Sequence, residues 1–131
     1  MTFRHGAAQV QCKKQKLNTR SSTEAELVGA DDVATLILWT KHFMEAQGYN
    51  IKKNILYQDN KSAILLEENG RKSAGKRSRA LNVRYFFLTD QVEKGNLVIQ
   101  YCPTDQMLAD YLTKPMPKVL FESNRMRVQG W

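Results

Sequence analysis

Ser21-Ser22-Thr23-Glu24-Ala25-Glu26-Leu27 reads as the opening of a helix and fixes where the first long element begins. Ser21 and Glu24 stand at capping-box spacing, in which the hydroxyl accepts from the third helical amide and the carboxylate reaches back over the start. Thr23 and Glu26 repeat that spacing, so the cap alone does not separate the two glutamates. Helical phase does. Glu26 lies in line with Ala30, Val33 and Ile37, flanked by Gly29 and Ala34, small and apolar residues suited to lying on a sheet. Glu24 aligns with Val28, Asp31 and Thr35, a wetter face. The phase therefore assigns Ser21 and Glu24 to the helix cap and turns Glu26 toward the sheet, where a carboxylate needs a partner. An exposed Glu26 on the first turn is the plainer alternative.

Upstream of this opening, residues 8–13 alternate weakly and read as a strand, paired with residues 1–3 through the turn Arg4-His5-Gly6. Downstream, the first helix runs from about Ser22 to Gln47, with Gly48 as its stop. Residues 54–59, "NILYQD", are a short strand ending in Asp59. Asn60 opens a second helix, and the basic stretch "GRKSAGKRSR" follows. A third helix spans about Leu81 to Glu93, and Lys94-Gly95-Asn96 is a turn. Residues 97–102, "LVIQYC", are a strand closed by Pro103. "TDQMLADYLTKP" is expected as a fourth helix, ended by Pro115, and residues 115–131 form a helical tail. Strands alternating with helices make this an α/β chain, with helices on a mixed sheet. The sheet is thin for such a pattern, so a leading strand is expected before residue 1.

The length of 131 residues suits one domain with one core. A hydrophobic fraction of 42% and a charged fraction of 25% are ordinary for a globular protein. No apolar run approaches the roughly 20 residues that cross a bilayer, so no membrane partner is expected. The N-terminus lacks the apolar segment of a signal peptide. Cys12 and Cys102 have no paired spacing and read as reduced structural thiols, which points to an intracellular, cytoplasmic location. The formal charge of +7, from Lys+Arg 20 against Asp+Glu 13, favours an anionic partner, most commonly nucleic acid. Arg71, Lys72, Lys76, Arg77, Arg79 and Arg84 fall in one stretch without an acid, either a solvated loop or a phosphate contact.

Three acids stand where chemistry could sit. Glu26 is one. Asp59 ends a strand, and the crevice beyond strand carboxyl ends is the usual ligand position in open α/β sheets, although Asp59 or Asn60 could equally cap the next helix. Asp110 lies in the helix after the last strand. If the three converge, they make an oxygen-rich site suited to Mg²⁺, and carboxylates beside a basic loop suggest metal-assisted phosphodiester hydrolysis. His5 and His42 lack partners at metal spacing, and no Gly-rich phosphate loop is present. Met44, Met107, Met116 and Met126 read as core filler.

The blocks "KQKLNTRSSTEAELVGADD", "YQDNKSAILLEENG", "GKRSRALNVRYFFLTDQV" and "YCPTDQMLADYLTKP" resemble the ribonuclease H region of copia-type retrotransposon polyproteins, in order and spacing, over nearly the whole chain. The resemblance implies an RNase H-like fold, a mixed sheet of about five strands with helices on both faces, as a single domain over residues 1–131. It implies cleavage of the RNA strand of an RNA–DNA hybrid by two Mg²⁺ ions, with Mn²⁺ as a substitute, held by four carboxylates. Three of these fall on Glu26, Asp59 and Asp110. Phosphates would meet Asn60, Lys76, Arg77, Arg79 and Arg84. A reverse transcriptase domain would lie upstream in the same polyprotein, and a virus-like particle or the nucleus joins the cytoplasm as a location.

Two departures accompany the resemblance. The family's first carboxylate is an Asp on the first strand, and residues 1–20 contain no Asp or Glu. Its loss is expected to impair catalysis nearly completely. Ala80 stands where relatives usually carry His, which fits a relaxed copy. The chain then reads as an N-terminally truncated piece of a retroelement reading frame beginning at an internal Met. A non-catalytic, basic nucleic-acid-binding module and an inactive remnant are the competing readings.

Overall fold

The computed structural model describes residues 1–2, 5–69 and 79–130. They gather into two compact units, Gln15–Tyr101 and a smaller one of Met1–Lys14 with Cys102–Trp131.

The larger unit begins with α1, Ser22–Ala46, a helix of 25 residues. Ser21 is extended, and its Oγ accepts from the Glu24 amide at 3.2 Å. Glu24 Oε2 accepts from the Arg20 amide at 2.9 Å, one residue further back than a standard capping box. At the far end Gly48 takes a φ of +88°, the left-handed conformation that stops a helix at little cost.

The phase of α1 departs from the expectation. Its buried residues are Glu24, Leu27, Val28, Ala30, Ala34 and Leu38, whereas Glu26 is exposed and Val33 is 40% exposed. Glu24, assigned to the wetter face, lies on the buried side, and Glu26 points outward. Leu27 and Val28 explain the reversal. Each large side chain gains about 1.5–3 kcal/mol on full burial, which outweighs the small residues that lined up with Glu26.

The strand β1, Ile55–Gln58, pairs in parallel with β2, Val98–Tyr101, in the register Ile55↔Val98 to Gln58↔Tyr101. Parallel neighbours need a crossover, here made by α2, Lys61–Asn69, and α3, Arg79–Glu93. Asn60 caps α2, its Oδ1 accepting from the Ser62 and Ala63 amides at 3.0 and 3.2 Å. The turn between α3 and β2 passes through Gly95 at φ +70°. The core is Leu27, Val28, Ala30 and Ala34 of α1 with Tyr85 and Leu88 of α3 and Leu97, and Leu17, Ile37, Leu56 and Phe87 pack around it. The architecture is therefore α/β, but the described residues form one two-stranded parallel sheet rather than a mixed sheet of about five strands.

The smaller unit holds two further corrections. Residues 8–13 form no strand. Pairing near the N-terminus is confined to an antiparallel bridge from Thr2 to Ala7. The Met1 carbonyl accepts from the Ala8 and Gln9 amides, and the Ala7 amide donates to the Val128 carbonyl at 2.8 Å, so these groups are committed to a turn and a helix end. Residues 104–115 form no α-helix but two short 3₁₀ turns, Thr104–Gln106 and Leu108–Leu112, separated by extended Met107. Isolated helices this short are marginal, and packing decides instead: Tyr111 meets Phe121 at 4.9 Å between ring centres.

Phe121 belongs to α4, Lys118–Gln129, the expected helical tail, which ends at Gly130 with φ +79°. Gly6 and Gly130 touch backbone to backbone. A Cβ on Gly6 would stand 3.0 Å from the Gly130 Cα. Met126 is 48% exposed and not core filler, while Met116 Sδ accepts from Nδ2 of the buried Asn124 at 3.5 Å.

Candidate functional site

Asp59 follows the last residue of β1, and the backbone around it is held by its neighbour. Gln58, 5% exposed, turns its side-chain oxygen back to accept from the Asp59 amide at 3.0 Å and the Asn60 amide at 3.2 Å. Asn60 itself caps α2 through its side-chain oxygen. Asp59 is half-buried at the carboxyl end of a parallel strand, the position at which α/β sheets present ligand-binding groups. Just beyond it, Lys61 Nζ sits 4.8 Å from the centre of the Tyr101 ring, a cation–π contact that ties the start of α2 to the end of β2.

Asp110 is buried in the second 3₁₀ turn of the smaller unit. Its Oδ2 accepts from Lys114 Nζ at 2.9 Å, and its backbone carbonyl accepts from the Thr113 and Lys114 amides. A buried carboxylate is costly unless paired, and the half-exposed Lys114 supplies that pairing. Glu26 lies on the outward side of the first turns of α1.

Glu26 and Asp59 thus belong to the larger unit and Asp110 to the smaller. Among the described residues, no three of His, Cys, Asp and Glu stand close enough to hold a metal ion. The donor types suit Mg²⁺.

Arg84 is paired with carboxylates. Its guanidinium reaches from α3 to α1, with Nη1 2.5 Å from Asp31 Oδ2 and 2.8 Å from Asp32 Oδ1. It joins two helices. Burial raises the Asp31 pKa above its ordinary 3.8, the Arg84 charge opposes that rise, and the neighbouring Asp32 adds to it. The Arg84 pKa is raised in turn, first by its hydrogen bond to Asp32. Lys76 and Arg77 lie outside the described residues. Arg79 opens α3, with its side chain likewise outside them.

Sequence reasoning missed Gln58, the Asp31–Arg84–Asp32 triad and the Asp110–Lys114 pair. Only the last had a signal, the i,i+4 spacing of opposite charges. Gln58 and Arg84 act across turns and between helices, where spacing along the chain carries no information.

Comparison with known proteins finds transposon-encoded polyproteins among the relatives. The retrovirus-related Pol polyprotein from transposon TNT 1-94 of Nicotiana tabacum is 35% identical over 121 residues, 92% of this chain and 9% of that protein. The corresponding polyprotein from transposon RE2 of Arabidopsis thaliana is 33% identical over 112 residues, 85% of this chain and 8% of its own length. The transposon Ty1-NL2 Gag-Pol polyprotein of Saccharomyces cerevisiae is 30% identical over 111 residues, 83% of this chain and 6% of its own. The chain is homologous to these proteins and spans less than a tenth of their length. No family model matches the chain, and no solved structure matches it.

Proposed function

We propose that the chain is the ribonuclease H-like part of a copia-type retrotransposon Pol polyprotein, with the RNA strand of an RNA–DNA hybrid as its substrate. The observation that carries this reading is the homology to transposon Pol polyproteins across most of the chain, and the "SSTEAE", "DNKSA" and "ADYLTKP" blocks of this sequence resemble the ribonuclease H region of that family. The placement of Asp59 supports it, a half-buried residue at a strand's carboxyl end. In this reading Glu26, Asp59 and Asp110 are the carboxylates of the site and Mg²⁺, or Mn²⁺, is the required ion. When bound, that ion would activate water and stabilise the leaving oxygen. Lys76, Arg77 and Arg79 remain the proposed phosphate contacts, and a reverse transcriptase segment of the same polyprotein is the proposed covalent neighbour.

The test is incubation of the purified chain with an end-labelled RNA–DNA hybrid in Mg²⁺ or Mn²⁺. Metal-dependent cleavage of the RNA strand that disappears in Asp59→Asn is the expected result. Absence of cleavage under both ions removes the catalytic part of the proposal.

A second reading, a basic module that binds nucleic acid without cutting it, is favoured by the formal charge of +7. It predicts hybrid binding that survives Asp59→Asn and weakens with salt, because cations on phosphates release counterions.

A further inference from the structure

The strand β1 has one edge in use. Its register with β2, and the Val98 amide donating to the Asn54 carbonyl at 2.8 Å, fix the parallel ladder. In that pattern Asn54, Leu56 and Gln58 direct backbone groups to β2, and those of Ile55 and Tyr57 point to the opposite edge. The described residues form one two-stranded sheet, and among them nothing pairs with that edge. Sheet edges are commonly blunted by Pro or Lys. On β2 the Lys61 ammonium lies over the Tyr101 ring. On β1 the outward positions are Ile55 and Tyr57, the latter 52% exposed, with Leu56 between them packed on the core.

Residues 53–59, Lys-Asn-Ile-Leu-Tyr-Gln-Asp, match themselves in chemical type when one copy is reversed. An antiparallel copy centred on Leu56 sets Lys53 against Asp59, Asn54 against Gln58, and Ile55 against Tyr57. Opposite charges and aromatic–β-branched neighbours are the favourable cross-strand pairs. In the same register Ile55 and Tyr57 of each chain, whose backbone groups point outward, become the hydrogen-bonded pairs. A slip of the centre to Tyr57 would set Lys53 against Lys61 and Ile55 against Asp59. A slip to Ile55 would set Lys53 against Tyr57. Both lose the charge match.

We propose that β1 is a dimerisation edge, pairing antiparallel with β1 of a second copy of this chain about a two-fold axis at Leu56. Two small sheets then become one continuous sheet. The contact is isologous, so it closes at two copies and leaves no β1 edge for a third. It does not depend on the proposed nuclease reaction.

The experiment is sedimentation equilibrium of the intact chain, which is expected to show monomer and dimer in concentration-dependent exchange. Lys53→Glu sets acid against acid at both ends of the paired strands and is expected to weaken the dimer about tenfold. Adding Asp59→Lys to that variant reverses both charges and is expected to restore the dimer, a rescue that a merely structural role of either residue would not give. Tyr57→Pro removes an outward amide that the β1–β2 ladder does not use, the kind of strand position that accepts Pro. It is expected to be monomeric while keeping a cooperative urea transition; if Pro prevents folding, the charge reversal decides alone. Trp39→Ser, on the exposed face where Trp39 stacks with Phe43 on α1, is expected to leave the dimer unchanged. A chain that stays monomeric, or that forms assemblies larger than a dimer, overturns the proposal. So does a dimer that Lys53→Glu does not weaken, that the double variant does not restore, or that survives in folded Tyr57→Pro. A dimer lost in Trp39→Ser overturns it too, and moves the contact to α1.

Discussion

At the scale of single residues, the helix caps and the buried aspartate carry the sharpest tests. Asn60→Ala removes the oxygen that accepts from the Ser62 and Ala63 amides and is expected to cost about 1 kcal/mol of stability in urea unfolding. Asp59→Asn, which leaves that cap in place, is expected to remove cleavage. Asp31 offers a pH test. Its pKa is raised in the fold, chiefly by burial, so its contribution to stability is fully present below its unfolded value and is lost as pH rises through the folded one. Arg84→Met withdraws the charge that holds the rise in check, so the Asp31 pKa, followed by NMR titration of its carboxyl carbon, moves further up. A downward movement would show that the triad is not formed in solution. The residues that decide the caps were legible in the sequence, because capping is local and announced by type and spacing. The role of Arg84 was not, because Asp31 lies 53 positions away.

At the scale of elements, punctuation was readable and orientation was not. Ser21 and Gly48 bracket α1, and β1, α3 and β2 stand where the apolar runs and the Lys94-Gly95-Asn96 turn place them. The face of α1 was misread because Ala30 and Ala34 both proved buried and fit either phase, while Leu27 and Val28 settle it only once α3 is present to receive them. The short segment around Asp110 was misread because its shape follows from Tyr111 on Phe121 and Asp110 beside Lys114, contacts that helical propensity does not contain. Two substitutions test the packing. Leu88→Ala, at a position with no exposure, is expected to destabilise by about 2–5 kcal/mol, read as a lower urea midpoint at unchanged slope. In the smaller unit, Gly6→Ala places a methyl group 3.0 Å from the backbone of Gly130 and forces a side chain into positive φ. The Ala7-to-Val128 hydrogen bond is expected to break, seen as loss of protection of the Ala7 amide.

At the scale of the whole molecule, the distribution of charge is more informative than its sum. The net value of +7 follows from composition, but which cations are available to a partner follows from the fold. Arg84, Lys94 and Lys114 are engaged by carboxylates, whereas among the described residues Lys13, Lys14, Lys16 and Arg20 form no ion pair. The chain is homologous to short segments of transposon Pol polyproteins.

The irregular, exposed backbone around Lys13 and Lys14 also makes the chain vulnerable to limited proteolysis. Trypsin cuts after exposed basic residues in such segments, and loops of this kind are its preferred substrates. A nick after Lys14 would leave residues 1–14 tied to the end of α4 only by non-covalent contacts such as the Ala7-to-Val128 bond. Whether that peptide stays or leaves on gel filtration reads the strength of this docking directly.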